Sequence, residues 1–207
     1  MTQTHKEKIL HSLYLQKSFG YKYIDFFGIQ KLEETQTFMS EETLNHCVLC
    51  DASKLSRNKI FESGNKNSKI IFITTVPVFD EASKDIFLKM VQNVLGITPY
   101  ELYVTSIIKC DISSKTTSIE TFAKTCKGYI LNQLQQTHAS LIVTIGDSYN
   151  ILLEDSTDLS AVRGSVIKFG NKTLIPLYHP NFLLRNPSLK KETFEDLKKI
   201  KLLLEQL

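Results

Sequence analysis

The sequence predicts an α/β fold with three layers, in which helices cover both faces of a mainly parallel central sheet. Two observations carry this expectation. Three β-rich apolar runs, KIIFITT (69–75), LYVTSII (102–108) and LIVTIG (141–146), show no polar alternation. That is the pattern of strands buried on both faces. Between these runs lie stretches with apolar residues at helical spacing, so strands and helices alternate along the chain.

The elements follow in order. Residues 6–19 place Ile9, Leu10, Leu13 and Leu15 among charges and stop near Gly20, which predicts an amphipathic helix. Residues 21–44 are weakly patterned. After the first strand, residues 80–95 predict a helix ending at Gly96. Residues 118–136 predict another, carrying Ile119, Phe122, Cys126, Tyr129 and Ile130. After the third strand, Asp147 or Ser148 is placed to cap a short helix. SVIKFG and KTLIPLY flank Gly170-Asn171 and predict a hairpin. A last helix over 189–206 sets Leu197, Ile200, Leu203 and Leu204 on one face and lysines on the other. The expected division is a helical N-terminal extension over 1–43 and one main domain over 44–207. In parallel sheets ligands sit beyond the carboxyl ends of the strands. Here those ends lead into TTVPVFDE, KCDISS and YHPNFLLR.

Composition narrows the class. With 207 residues, 42% hydrophobic and 23% charged, the chain can bury one sizeable core. Its net charge of +3 is compatible with a nucleic-acid partner and does not argue for one. No apolar run reaches a membrane span, and the first residues lack the pattern of a signal peptide. A cytoplasmic protein is expected, a monomer with no membrane association. In that compartment thiols stay reduced.

The four cysteines therefore read as core residues or as ligands. Cys47 and Cys50 form one close pair, whereas Cys110 and Cys126 are separate. A zinc ribbon normally offers a second close pair. Four thiolates from separate elements can also surround a cubane iron–sulfur cluster. Spacing alone leaves core thiols, zinc and iron–sulfur open.

Several pieces, taken in order, resemble the iron–sulfur (family 4) uracil-DNA glycosylases over roughly residues 44–206. They are CVLC with Leu55 and Arg57, then KIIFIT leading to Pro77, Asp80 and Glu81, GITPYELYVTSIIKC, FAKTCKGYILNQL, LIVTIGDSYNILL, VRG and YHPNFLLRNPSLK. The resemblance implies a uracil-DNA-glycosylase-like fold. It implies a structural 4Fe-4S cluster on Cys47, Cys50, Cys110 and Cys126, and hydrolysis of the bond between uracil, or another damaged base, and its sugar in single- or double-stranded DNA for base excision repair. The base must be turned out of the stack into a pocket. His179 is the implied donor to the departing uracil, and Glu81 or Asp80 the carboxylate acting on water. Ser106, Pro77 and Phe79 are the implied base pocket. Pro180, Leu183 and Leu184 would stiffen the turn and wedge into the gap left by the base, and Arg185 and Lys190 would contact phosphate.

Departures from the family pattern fall on the pocket. The family's Gly-Glu-x-Pro-Gly is Thr74-Thr75-Val76-Pro77-Val78 here. A loop of about eight residues that carries a base-stacking Phe is missing, and Ser106 replaces the Asn that reads the base edge. Two readings follow: a divergent glycosylase, or a glycosylase fold that binds DNA or a protein partner without cutting. A structural zinc protein is a third.

Overall fold

The computed structural model describes residues 39–56, 58–112 and 119–207. The helix expected over 6–19, most of the stretch to 44, and Arg57 lie outside them. The described residues belong to one compact unit. The expected boundary after residue 43 falls within a short helix, α1 (Glu41–Asn45), capped by the Ser40 hydroxyl. Its Leu44 is buried against Cys47 and Tyr129, so this stretch packs as part of the main body.

The elements that follow are α2 (Ala52–Leu55), β1 (Glu62–Gly64), β2 (Ile70–Thr74), α3 (Glu81–Met90), β3 (Tyr103–Ser106), α4 (Ile119–Gln136) and β4 (Leu141–Ile145). After them come α5 (Ser148–Leu153), α6 (Leu159–Val162), β5 (Ile167–Phe169), β6 (Lys172–Leu177), α7 (Pro180–Arg185) and α8 (Lys190–Glu205). Among the described residues the strands form one six-stranded sheet in the order β1-β3-β2-β4-β6-β5. Its four central strands are parallel, and the edge strands β1 and β5 are antiparallel to their neighbours.

Alternation along each central strand sends side chains to opposite faces. Ile71, Ile73 and Ile142 join a core that contains Ala123, Ile130 and Leu134 of α4 and Leu152 of α5. Ile70, Phe72, Leu141 and Val143 join the other, with Phe87 of α3 and Leu197 and Ile200 of α8. These are the three predicted layers. Burying such a side chain contributes about 2 kcal/mol each, which explains why the apolar runs were readable as inner strands.

Two details differ from expectation. The helix expected over 80–95 ends its α-helical part at Met90 and continues as a π-turn over Val91–Leu95 before Gly96. The sheet also gains β1, whose Glu62-Ser63-Gly64 carries no apolar signal and pairs with β3 through the backbone and a Tyr103 hydroxyl bond to Glu62. No helix among the described residues is long and apolar enough to cross a membrane.

Candidate active site and cysteine group

Strands β2, β4 and β6 are neighbours, so the three loops at their carboxyl ends meet. His179 follows β6 and N-caps α7. Its Nδ1 accepts the Asn181 backbone N–H at 3.1 Å, and Pro180 fills the first helical position. A neutral imidazole whose Nδ1 is an acceptor carries its proton on Nε2. Burial lowers the His179 pKa from its ordinary value, against the opposing pull of Asp147 and Asp80. The ring is therefore a neutral Nε2–H donor near pH 7. Phe79 lies on one side, 5.4 Å between ring centroids, and is itself backed by Phe87 at 5.2 Å. The backbone of Gly146, at the end of β4, lies against His179. A Cβ there would come within 2.9 Å of the His179 Cβ, and φ is +63°.

On the β2 side, Asp80 N-caps α3. Its carboxylate accepts from the Ser83 N–H at 2.9 Å and the Ser83 hydroxyl at 2.8 Å. The Asn181 side-chain amide approaches the same carboxylate at 3.5 Å, linking this loop to α7. The Ser83 hydrogen bonds, and more weakly His179, hold Asp80 below its ordinary pKa. Glu81 is exposed in the first turn of α3, and Pro77 is half-buried in the bend before it. Ser106 ends β3 and is buried. Its hydroxyl donates to the Ile108 carbonyl at 2.7 Å.

In the turn after His179, Pro180 is buried and Leu183 is only 2% exposed. Leu183 turns inward to an apolar groove lined by Met90, Val94 and Phe194. Phe182 and Leu184 are the exposed apolar side chains of this turn, with Arg185 and Lys190 exposed beside them. Phe182 stacks at 5.1 Å on Tyr178, the residue before His179. Arg163 lies over the other partner of this stack, 5.6 Å from the Tyr178 ring. The same guanidinium pairs with the buried Asp196 and, at 2.6 Å, with Glu192.

The four cysteines are free thiols from separate places: the turns before and after Leu49, the residue bridging Lys59 after β3, and the middle of α4. Cys47, Cys110 and Cys126 are buried. Burial pushes the Cys110 thiol up to about 11, and the neighbouring Cys126, Cys50 and Cys47 add to the rise. Cys126 is raised by burial and by Cys50 and Cys47, while the Lys109 backbone N–H pulls it down. The thiols thus feel one another's charge. Among the described residues no three His, Cys, Asp or Glu side chains converge as ligands of a single metal ion.

Three side chains beside these sites, Asp147 next to His179, Asn181 and Arg163, were not among the sequence candidates; Lys109 stood out only as a positive neighbour of Cys110. Asp147 was read only as a helix cap, but its carboxylate makes no capping bond; its charge acts on His179, favouring the protonated ring. Ser148 is occupied by Ile145 and by the Ile73 carbonyl. Asn181, Arg163 and Lys109 make their contacts across loops distant in sequence. Only the ordered motifs around them were a signal.

Comparison with known proteins agrees with this geometry. The family model described as "Uracil DNA glycosylase superfamily" matches residues 61–198. The chain is 27% identical over 172 residues to a type-4 uracil-DNA glycosylase of Archaeoglobus fulgidus, covering 74% of this chain and 86% of that one. It is 26% identical over 182 residues to one from Thermotoga maritima, covering 82% and 94%. A 25% identical match spans 69% of this chain but only 16% of a DNA polymerase of Bacillus phage SP01. With the family model matched over residues 61–198, most of its length, the chain belongs to the uracil DNA glycosylase superfamily.

Proposed function

We propose that this protein is a DNA glycosylase that hydrolyses the bond between uracil, or another damaged base, and its sugar in DNA, as the first step of base excision repair. The observation that carries the reading is the state of His179: half-buried, neutral, and with Nε2–H left as donor by the Asn181 bond to Nδ1. As the glycosidic bond breaks, negative charge collects on the uracil and positive charge on the sugar. A donor already oriented toward the uracil O2 stabilises that separation without reorganising. Asp80 and Glu81 lie on the neighbouring loop. There a carboxylate orients water toward the sugar carbon. In this reading Phe79, which packs against His179, is the aromatic wall, and Pro77 and Ser106 are the further base contacts. Phe182 and Leu184 are the exposed wedge next to the buried Pro180 and Leu183, and Arg185 and Lys190 supply phosphate contacts.

Cys47, Cys50, Cys110 and Cys126 fit a 4Fe-4S cluster. They are four free thiols, and Cys110 and Cys126 feel the charge of the other cysteines. When bound, the cluster supplies a cross-link between α4, the segment after β3 and the turn before α2.

One observation favours a second reading, a fold that binds DNA or a protein partner without cutting. The Ser106 hydroxyl is donated inward to Ile108, and Val78 stands 48% exposed where the family has glycine. Uracil-containing single- and double-stranded oligonucleotides, treated with alkali after incubation, separate the two. Cleavage abolished by His179→Ala supports the enzyme. Cleavage unchanged by it removes His179 from the mechanism. No cleavage with retained gel binding of plain DNA supports the second reading. Iron and visible absorbance in the preparation exclude zinc.

A further inference from the structure

We infer that Lys109 is a built-in counter-charge for an anionic metal cluster, set inside the protein to hold that cluster and to ease its reduction; this rests on the proposed 4Fe-4S ligation. The side chain of Lys109 is fully buried. Its Nζ has three acceptors: the Phe61 carbonyl at 3.0 Å, the Thr105 hydroxyl at 2.7 Å and the Gln133 side-chain oxygen. Three acceptors match the three N–H bonds of an ammonium. The Phe61 ring lies 5.4 Å from the nitrogen.

The network around it fixes the direction of every dipole. Gln133 turns its oxygen to the ammonium and its amide N–H groups to the Phe61 carbonyl at 3.0 Å and to Glu62 at 2.9 Å. Glu62 is already engaged by the Tyr103 hydroxyl and by an ion pair with Lys66. Gln133 therefore stands between the one nearby carboxylate and the ammonium, and among the described residues no carboxylate forms an ion pair with Lys109.

A buried charge with only neutral partners is costly unless an opposite charge lies close. The cysteines provide it. Lys109 directly precedes Cys110 and its backbone N–H reaches the Cys126 sulfur; burial pushes its side-chain pKa down to about 7, against the pull of the Cys126 and Glu62 charges. Four thiolates on a four-iron, four-sulfide core leave a net negative body, and adding an electron makes it more negative. A positive charge on Lys109, held by its three acceptors beside the Cys110 segment, favours retention of the body and favours its reduced form. Net charge, burial and nearby hydrogen bonds are the levers that set such potentials.

The test measures the midpoint potential of the cluster and the rate of iron loss to a chelator in the iron-loaded protein, without any glycosylase assay. Lys109→Met shifts the potential to more negative values and speeds iron loss several-fold. Lys109→Arg, which keeps the charge, stays near the parent. Should Lys109→Met fail to fold, Gln133→Glu leaves the lysine in place and sets a carboxylate against it, with the same direction of change. Folded Lys109→Met or Gln133→Glu protein with unchanged potential and unchanged iron loss overturns the inference. A parent protein purified without iron overturns the cluster reading itself, and the inference with it.

Discussion

Gly146 and His179 touch through main chain and Cβ: any side chain at 146 would begin 2.9 Å from the His179 Cβ. The same residue has φ +63°, a conformation that L side chains adopt only with strain. Gly146→Ala is expected to lose about 1–3 kcal/mol of stability from the backbone conformation. The loss is expected to be accompanied by displacement of His179. A thermal melt with a parallel uracil-release assay checks it. A stable, fully active Gly146→Ala protein shows that the contact is unimportant.

The acid side of the activity profile follows from His179. Burial lowers its pKa from the ordinary 6.5, so the neutral donor persists below that pH and is lost only as pH falls further. Uracil release is expected to be flat near neutrality and to fall on the acid side below 6.5. Asp147 favours the protonated ring. Asp147→Asn should therefore move the acid limb to still lower pH. NMR titration of the His179 ring reports the same shift directly, and no movement of the ring's midpoint counts against the pairing.

Arg163 is expected to be a stability residue with a reach into the site. Removing it as Arg163→Ala leaves Asp196, only 3% exposed, with only the looser pairing to Lys199 at 3.5 Å. Breaking such a pair from one side costs about 3 kcal/mol. Denaturant unfolding measures the loss, and a double variant Arg163→Met with Asp196→Leu should recover much of it. The tightness of Gly164 against Asp196 makes Gly164→Ala a second way to disturb the same pair.

The exposed side chains of the His179 turn should separate from the buried ones. Phe182→Ala and Leu184→Ala, at 44% and 39% exposure, are expected to leave the melting temperature nearly unchanged. Each should weaken binding to uracil-containing DNA roughly three- to tenfold, about 1 kcal/mol. Leu183→Ala, from a fully packed position, should instead cost about 2–5 kcal/mol of stability. Equal effects from all three would mean that the turn reorganises on binding.

What could be read in advance was whatever is local. KIIFITT, LIVTIG and the helix around Cys126 announce themselves through continuous or periodic apolar content. The cysteines and His179 were visible because ordered motifs flank them. The neighbourhood of these residues was not. Strand order decides that the loop after β4 lies between those after β2 and β6, and no periodicity encodes strand order. Thus Asp147 looked like a cap until the sheet brought it to His179. Lys109 meets Gln133 and Phe61 across long stretches of chain, and β1 forms from residues with no apolar signal at all. The inward turn of Leu183 depends on the groove beside α8, which an alternation rule cannot supply.

Each of three adjacent strands delivers its own segment to the site, so the segments can drift separately. Here the one after β2, Thr75-Val76-Pro77-Val78, holds no glycine, while the one after β6 keeps its imidazole against Gly146. A scaffold built this way lets one segment change while the imidazole on another stays where it is.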